Sequence, residues 1–268
     1  MRGMTPGSAP RTLAAAVLLL GAAGCGDATR NDVAADPASE PSTPVLTQDG
    51  EVIVSCGGGE GWPPSVMAEG VPGMLDEVEA RRTFRQILDD PKYAGEAELS
   101  LFADGIDVDY RVLRGDDNSL VVGIGEWTEE GPVGSDTYYL ALEREGDRWV
   151  PGGWGSCTSL GPVLREGLTW ARVNAFEAGA TDTELTLSVS ELDCTSARDP
   201  RPFLHDPVVV ESEHAVTIYA TSTPMTEDAA CPGNPSVDLE AVLDEPLGDR
   251  PVLDGSFYPA RPVGGPAD

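Results

Sequence analysis

Two arginines, Arg2 and Arg11, precede an uncharged apolar run from Leu13 to Ala23 that leads into Gly24-Cys25, and this order constrains the chain more than any other feature. A basic start, a short apolar centre and small residues at its end form the pattern of a secretory signal peptide. The run is about 11 residues, whereas a stable bilayer-crossing helix needs ~20, so residues 1–24 are expected to be cut off rather than kept as a span. The mature chain must then fold outside the cytoplasm, where thiols oxidise.

The small residues Ala23 and Gly24 directly before Cys25 resemble the lipobox of bacterial lipoproteins, although Ala22 stands where those signals usually carry Leu. The resemblance implies that the Cys25 thiol becomes a diacylglyceryl thioether and the new N-terminus. Each buried methylene contributes ~0.8 kcal/mol, so one acyl chain binds a bilayer marginally and two anchor a protein stably. The expected address is the outer face of a cell membrane, held by lipid on Cys25. The Ala, Pro, Ser, Thr and Asp of the next stretch cannot bury enough surface to offset their ordering entropy, so residues 25–50 are expected to be a flexible tether. As a coil it spans about 25 to 30 Å on average.

Forty-six acidic residues against 17 basic ones give a formal charge of −29, which becomes −31 when Arg2 and Arg11 leave with the signal. Such a surface repels phosphates and anionic headgroups, so the folded part is not expected to bind nucleic acid or lipid directly. Dispersed Asp and Glu keep an exported protein hydrated, and a cationic partner remains compatible with them. Lys92 is the one lysine, a bias typical of a GC-rich genome.

Hydrophobic periodicity divides the rest into a mainly β, α+β architecture of two modules. Residues 51–160 open with the strand Glu51 to Cys56. In Met74 to Asp90, Ala80, Phe84, Ile87 and Leu88 share a helical face opposite Arg81, Arg82 and Arg85. Val108, Tyr110 and Val112, then Leu120, Val122 and Ile124, alternate as strands; Tyr139 to Glu143 and Arg148 to Val150 flank a Glu145-Gly146-Asp147 turn. This predicts one helix on an antiparallel sheet. Residues 161–258 offer no helix but three alternating strands, at Leu185 to Val189, Val216 to Ala220 and Val237 to Leu243, which predict a small β-sandwich-like module. Residues 259–268 are expected to be a disordered tail.

Four cysteines remain after Cys25, and an even number in an oxidising compartment reads as disulfides. Four cysteines allow three pairings; module boundaries favour Cys56 with Cys157 and Cys194 with Cys231. Redox or metal work usually wants Cys-x-x-Cys, which is absent. The run Cys231-Pro-Gly-Asn-Pro235, with Leu243-Asp-Glu-Pro-Leu-Gly-Asp-Arg250 and Leu253-Asp-Gly255, resembles C-terminal segments of secreted actinobacterial lipoproteins. That resemblance implies an address and a β-rich fold, and no activity. Within it Pro246 and Gly248 suit a tight turn, and Asp249 with Arg250 forms a candidate local ion pair.

No constellation supplies catalysis, metal binding or a cofactor site. Asp104-Gly-Ile-Asp-Val-Asp109 lacks the spacing of a calcium loop and fits a solvated strand face. Ser156 lies outside any Gly-x-Ser-x-Gly elbow, and His205-Asp206 and His214 read as surface positions. Arg114-Gly115-Asp116 reads as a hairpin turn. Of Trp62, Trp127, Trp149, Trp154 and Trp170, four belong to the first module, and Trp127 with Trp154 is the candidate binding surface if exposed. The expected function is non-enzymatic binding, or a part in an envelope assembly, with an envelope protein or cell-wall ligand as partner. An envelope-directed hydrolase and a structural spacer are the alternatives.

Overall fold

A computed structural model describes residues 43–57, 61–93, 109–226 and 228–264. The chain is ordered ahead of the tether boundary expected at residue 50. Val45 is 2% exposed and bridges Leu164, and Leu46 N–H donates to Val163 O at 2.7 Å. Strand β1 (Thr47–Gln48) then turns back on β2 (Glu51–Val52). The flexible expectation fails here because composition averages a whole stretch, whereas one valine meeting a distant partner is enough to pin its end. Next comes β3 (Val54–Ser55), which is one side of a pair completed much later in the chain.

Helix α1 (Glu77–Asp89) begins where Asp76 accepts the Glu79 N–H at 2.7 Å, an N-cap that satisfies one of the free amides of the first turn. Its buried face is Ala80, Thr83, Phe84 and Ile87, close to the face read from the periodicity. The helix packs on an antiparallel sheet ordered β4 (Tyr110–Gly115), β5 (Ser119–Ile124), β8 (Tyr138–Glu145) and β9 (Arg148–Ser156), with the short hairpin β6 (Trp127–Thr128) and β7 (Gly131–Pro132) inserted after β5. Leu120, Val122 and Ile124 face the helix with Leu140, Leu142 and Trp149. Val121 and Leu113 face the other way, into a layer of Val54, Trp62, Met67, Trp127 and Leu160. Both faces of β5 are therefore covered. Gly123 is required between them, since a Cβ there would stand 2.9 Å from Leu113 Cδ1 and from Trp127 Cε2.

Arg111 ties this layer together. Its Nη1 donates to Met67 O (3.1 Å), Ala68 O (2.9 Å) and Trp127 O (3.0 Å), and burial lowers its pKa from the ordinary arginine value. Its Nη2 adds Gly125 O at 3.5 Å, so one guanidinium joins residues 67 and 68 to residues 125 and 127.

Strand β10 (Gly161–Pro162) pairs with β3, so the change of sheet near residue 160 occurs inside one compact unit spanning Glu40–Asp268. Beyond it, β15 (Val237–Val242), β12 (Glu184–Glu191), β11 (Thr169–Glu177) and β14 (Val216–Ser222) lie side by side. The C-terminal half of β14 pairs with β11, while its N-terminal half pairs with β13 (Val208–Glu211) and with β16 (Val252–Asp254). One strand thus serves two leaves, which wrap a common core of Leu185, Leu187, Val189, Val216, Ile218 and Ala241. The β14–β16 pair is parallel, whereas the other strand pairs of this sheet are antiparallel.

Order also continues past residue 259. Strand β17 (Arg261–Pro262) pairs with β16, Val263 N–H donates to Val252 O at 2.9 Å, and the Arg261 guanidinium lies 4.6 Å from the Phe257 ring centre. A segment rich in Pro and Gly has little local means of ordering itself; here a neighbouring strand and an aromatic ring order it. Residues 265–268, like residues 1–42, lie outside the described residues.

Arg250 closes the second core. It pairs with Glu211 at 2.8 Å, donates to Leu247 O, Pro246 O, Glu245 O and Ser212 O, and so fastens the turn after β15 to the end of β13. Glu211 also accepts the Asp244 N–H at 2.6 Å. The partner is Glu211 rather than the sequence neighbour Asp249, because the 245–248 turn directs the guanidinium back across the sheet edge. Arg250→Ala is expected to cost roughly 3 kcal/mol by stranding a mostly buried Glu211, lowering Tm by about 6 to 12 °C in a domain of this size. Arg250→Lys should recover less than half of that in a thermal melt.

Candidate functional site

One cavity among the described residues, about 460 Å³, opens between the β3–β10 pair and the sheet that holds β11. It is lined by Ser55, Cys56 and Gly57 at the end of β3, by Leu192 and Asp193 just after β12, and by residues of β10 and β11. Two of these segments adjoin a disulfide. Cys56 is joined to Cys157 across a Cα separation of 5.3 Å, and Cys194 to Cys231 across 4.6 Å, the pairing expected from the sequence.

The Leu192–Asp193 wall is fixed from several directions. Asn234 Nδ2 donates to Glu191 O (2.7 Å) and Asp193 O (2.6 Å), while its Oδ1 accepts from Thr195 Oγ1 at 2.6 Å. The buried Glu191 carboxylate receives two bonds from Arg198, whose Nη2 also donates to Thr223 O at 2.7 Å and whose guanidinium stacks 3.6 Å from the Phe203 ring centre. That hydrogen bonding to Glu191 raises the Arg198 pKa above its ordinary value. Asn234 belongs to the Cys-Pro-Gly-Asn-Pro run of the sequence, but its service to a chain segment some forty residues away had no local signal. The same holds for Glu191 and Arg198.

Within the cleft, Thr169 Oγ1 donates to Asp193 Oδ2, and the Trp170 indole N–H is taken by Pro162 O at 2.9 Å. Arg172 lies 5.0 Å from the Phe257 ring centre and makes no ion pair among the described residues. Ser256 is 6% exposed, and its Oγ has no hydrogen-bond partner there. Behind it sits Asp254, 3% exposed, whose Oδ1 accepts the Ser256 N–H at 2.9 Å while Oδ2 has no partner. Burial raises the Asp254 pKa; the Ser256 backbone and hydroxyl, the Val173 backbone and the Arg172 charge pull it back in part. The Ser256 hydroxyl is near enough to act on the charge without completing a bond.

The sequence-derived candidates fall elsewhere. Trp127 is 4% exposed, meets Trp62 edge to face at 6.1 Å, and donates its Nε1–H to Ile124 O at 3.3 Å. Trp154 packs on the helix side of the sheet against Tyr93, with ring centres 6.0 Å apart. The two tryptophans lie in different layers and form no joint binding surface; covering both faces of a four-stranded sheet uses them as core. His205 Nε2 lies 3.3 Å from Thr223 Oγ1, the His214 amide donates to Ser212 Oγ in an exposed turn, and Ser156 ends β9 in the other sheet. Asp116 of the Arg114-Gly115-Asp116 hairpin accepts from the Asn118 and Ser119 amides at 2.7 and 2.9 Å, which lowers its pKa. Cys25 and residues 104–108 lie outside the described residues. Among the described residues no cluster of three His, Cys, Asp or Glu side chains could hold a metal ion.

No protein family model, curated protein or solved structure matches this chain.

A buried aspartate with a raised pKa stabilises the fold fully only below the ordinary carboxylate value of about 4 and loses that contribution as pH rises through the folded value. Asp254→Asn is therefore expected to melt above the parent protein at pH 7, with the gap narrowing as pH falls towards 4. A variant that melts below the parent at pH 7 would show that the charged carboxylate holds the fork between β11 and β16.

Proposed function

We propose that this chain is a lipid-anchored protein of the outer face of a cell membrane that binds a small ligand or envelope partner through the cleft between its sheets, with no catalytic step. The observation that carries this reading is the use of the cysteines. All four beyond Cys25 are taken up in two disulfides; one of them lines the cavity through Cys56, and the other starts at Cys194, next in sequence to the lining residue Asp193. A site held in its bound shape loses less entropy on association, which is where rigid walls contribute affinity.

The anchor is read from Arg2, Arg11, the Leu13 to Ala23 run and Cys25, and the lipobox resemblance makes Cys25 the acylated residue. Among the described residues no helix is long and apolar enough to cross a membrane. With two acyl chains on Cys25 none is needed. Ligand binding fits the site better than hydrolysis, since the lining offers a guanidinium, a carboxylate and aromatic faces, and its one carboxylate–hydroxyl contact, Asp193 with Thr169, has no histidine beside it.

Cys25→Ser tests the anchor. The parent protein is expected in the membrane fraction of its native host, labelled by radioactive palmitate, and the variant is expected in the soluble fraction without label. Retention of the variant in the membrane would refute a lipid anchor at this position.

A further inference from the structure

Building on the cleft as a ligand site, we infer that it takes a small zwitterion with an apolar body, such as a short peptide with free ends. Its volume of about 460 Å³ falls inside the range of small-molecule sites, about 300 to 1,000 Å³. The lining supplies apolar faces: Leu160, Leu168, Phe257 and the rim residue Leu192, with the Trp170 ring, whose single donor is already satisfied by Pro162.

Two opposite charges then define the ligand. Arg172 and Asp193 line the same cleft and form no salt bridge with one another or with any other charged side chain among the described residues, although the Arg172 charge also acts on Asp254. Asp193 is oriented by the Thr169 hydroxyl on Oδ2, which leaves Oδ1 without a protein partner among those residues. An anionic amphiphile would meet Asp193 on a chain that already carries −29, and a cationic one would meet Arg172 beside Arg261, both set against the Phe257 ring. A ligand carrying both charges answers both residues: its carboxylate accepts from Arg172 and its ammonium donates to Asp193.

The probe is the dipeptide leucyl-phenylalanine, titrated calorimetrically into the mature, disulfide-bonded protein beside its N-acetylated and its C-amidated forms. The free dipeptide is expected to bind saturably, and each cap to weaken binding about tenfold, which corresponds to ~1.4 kcal/mol for one lost charged contact. Arg172→Gln should abolish the penalty for amidation and leave that for acetylation. Asp193→Asn, which still accepts from Thr169, should do the reverse. Equal affinity for free and capped dipeptides overturns the inference. If the dipeptides fail but hexanoate or hexylamine binds and shifts a fluorescence signal that Trp170→Phe removes, the ligand class is wrong and the cleft remains a site. If none of these probes binds, the cleft itself is wrong as the site.

Discussion

The four-stranded sheet has apolar residues on both faces, and the need to cover the face away from the helix organises the rest of the molecule. Val54 and Trp62 from the start of the folded chain, Trp127 from the β6–β7 hairpin, and Leu160 from the strip after Cys157 together form that cover. Two nearly enclosed tryptophans alone remove roughly 400 Å² from water, on the order of 10 kcal/mol of gross hydrophobic stabilisation before ordering entropy is subtracted. The same strip continues as β10, pairs with β3, bridges Tyr258 through Leu160 and accepts the Trp170 N–H through Pro162. Covering the first sheet is thus what brings the second one alongside, and the cleft is the space left at their junction.

In so acidic a chain the arginines are used as clasps. Arg111, Arg198 and Arg250 each bond at least one backbone carbonyl distant in sequence, and two of them also neutralise an enclosed glutamate. Guanidinium groups suit this work because their five donors lie in one plane and keep their charge when partly buried. Arg172 differs from these three: it lines the cleft beside the Phe257 ring and forms no salt bridge among the described residues.

What local patterns encode was legible in the sequence. The helix, its buried face, the strand alternation and both disulfide pairings follow from 3.6-residue and two-residue periods and from the placing of cysteines. Contacts between distant segments were not legible. The order of the chain around residues 45 and 261 depends on Val45 meeting Leu164 and on Arg261 meeting Phe257, which no window of composition contains. Whether Trp127 was core or binding surface was left open by its local sequence, and its burial is decided by Trp62, sixty-five positions away. The cleft was invisible for the same reason: its walls come from β3, β10, β11 and the turn after β12, and Arg172 and Asp193 carry no motif.

The proposed export and the disulfides beside the cleft meet in one observable, the state of the thiols. Proteolysis without reductant, followed by mass spectrometry, is expected to yield peptides joining Cys56 to Cys157 and Cys194 to Cys231, with no free thiol at any of the four. Peptides linking Cys56 or Cys157 to Cys194 or Cys231, or four free thiols, would contradict the account.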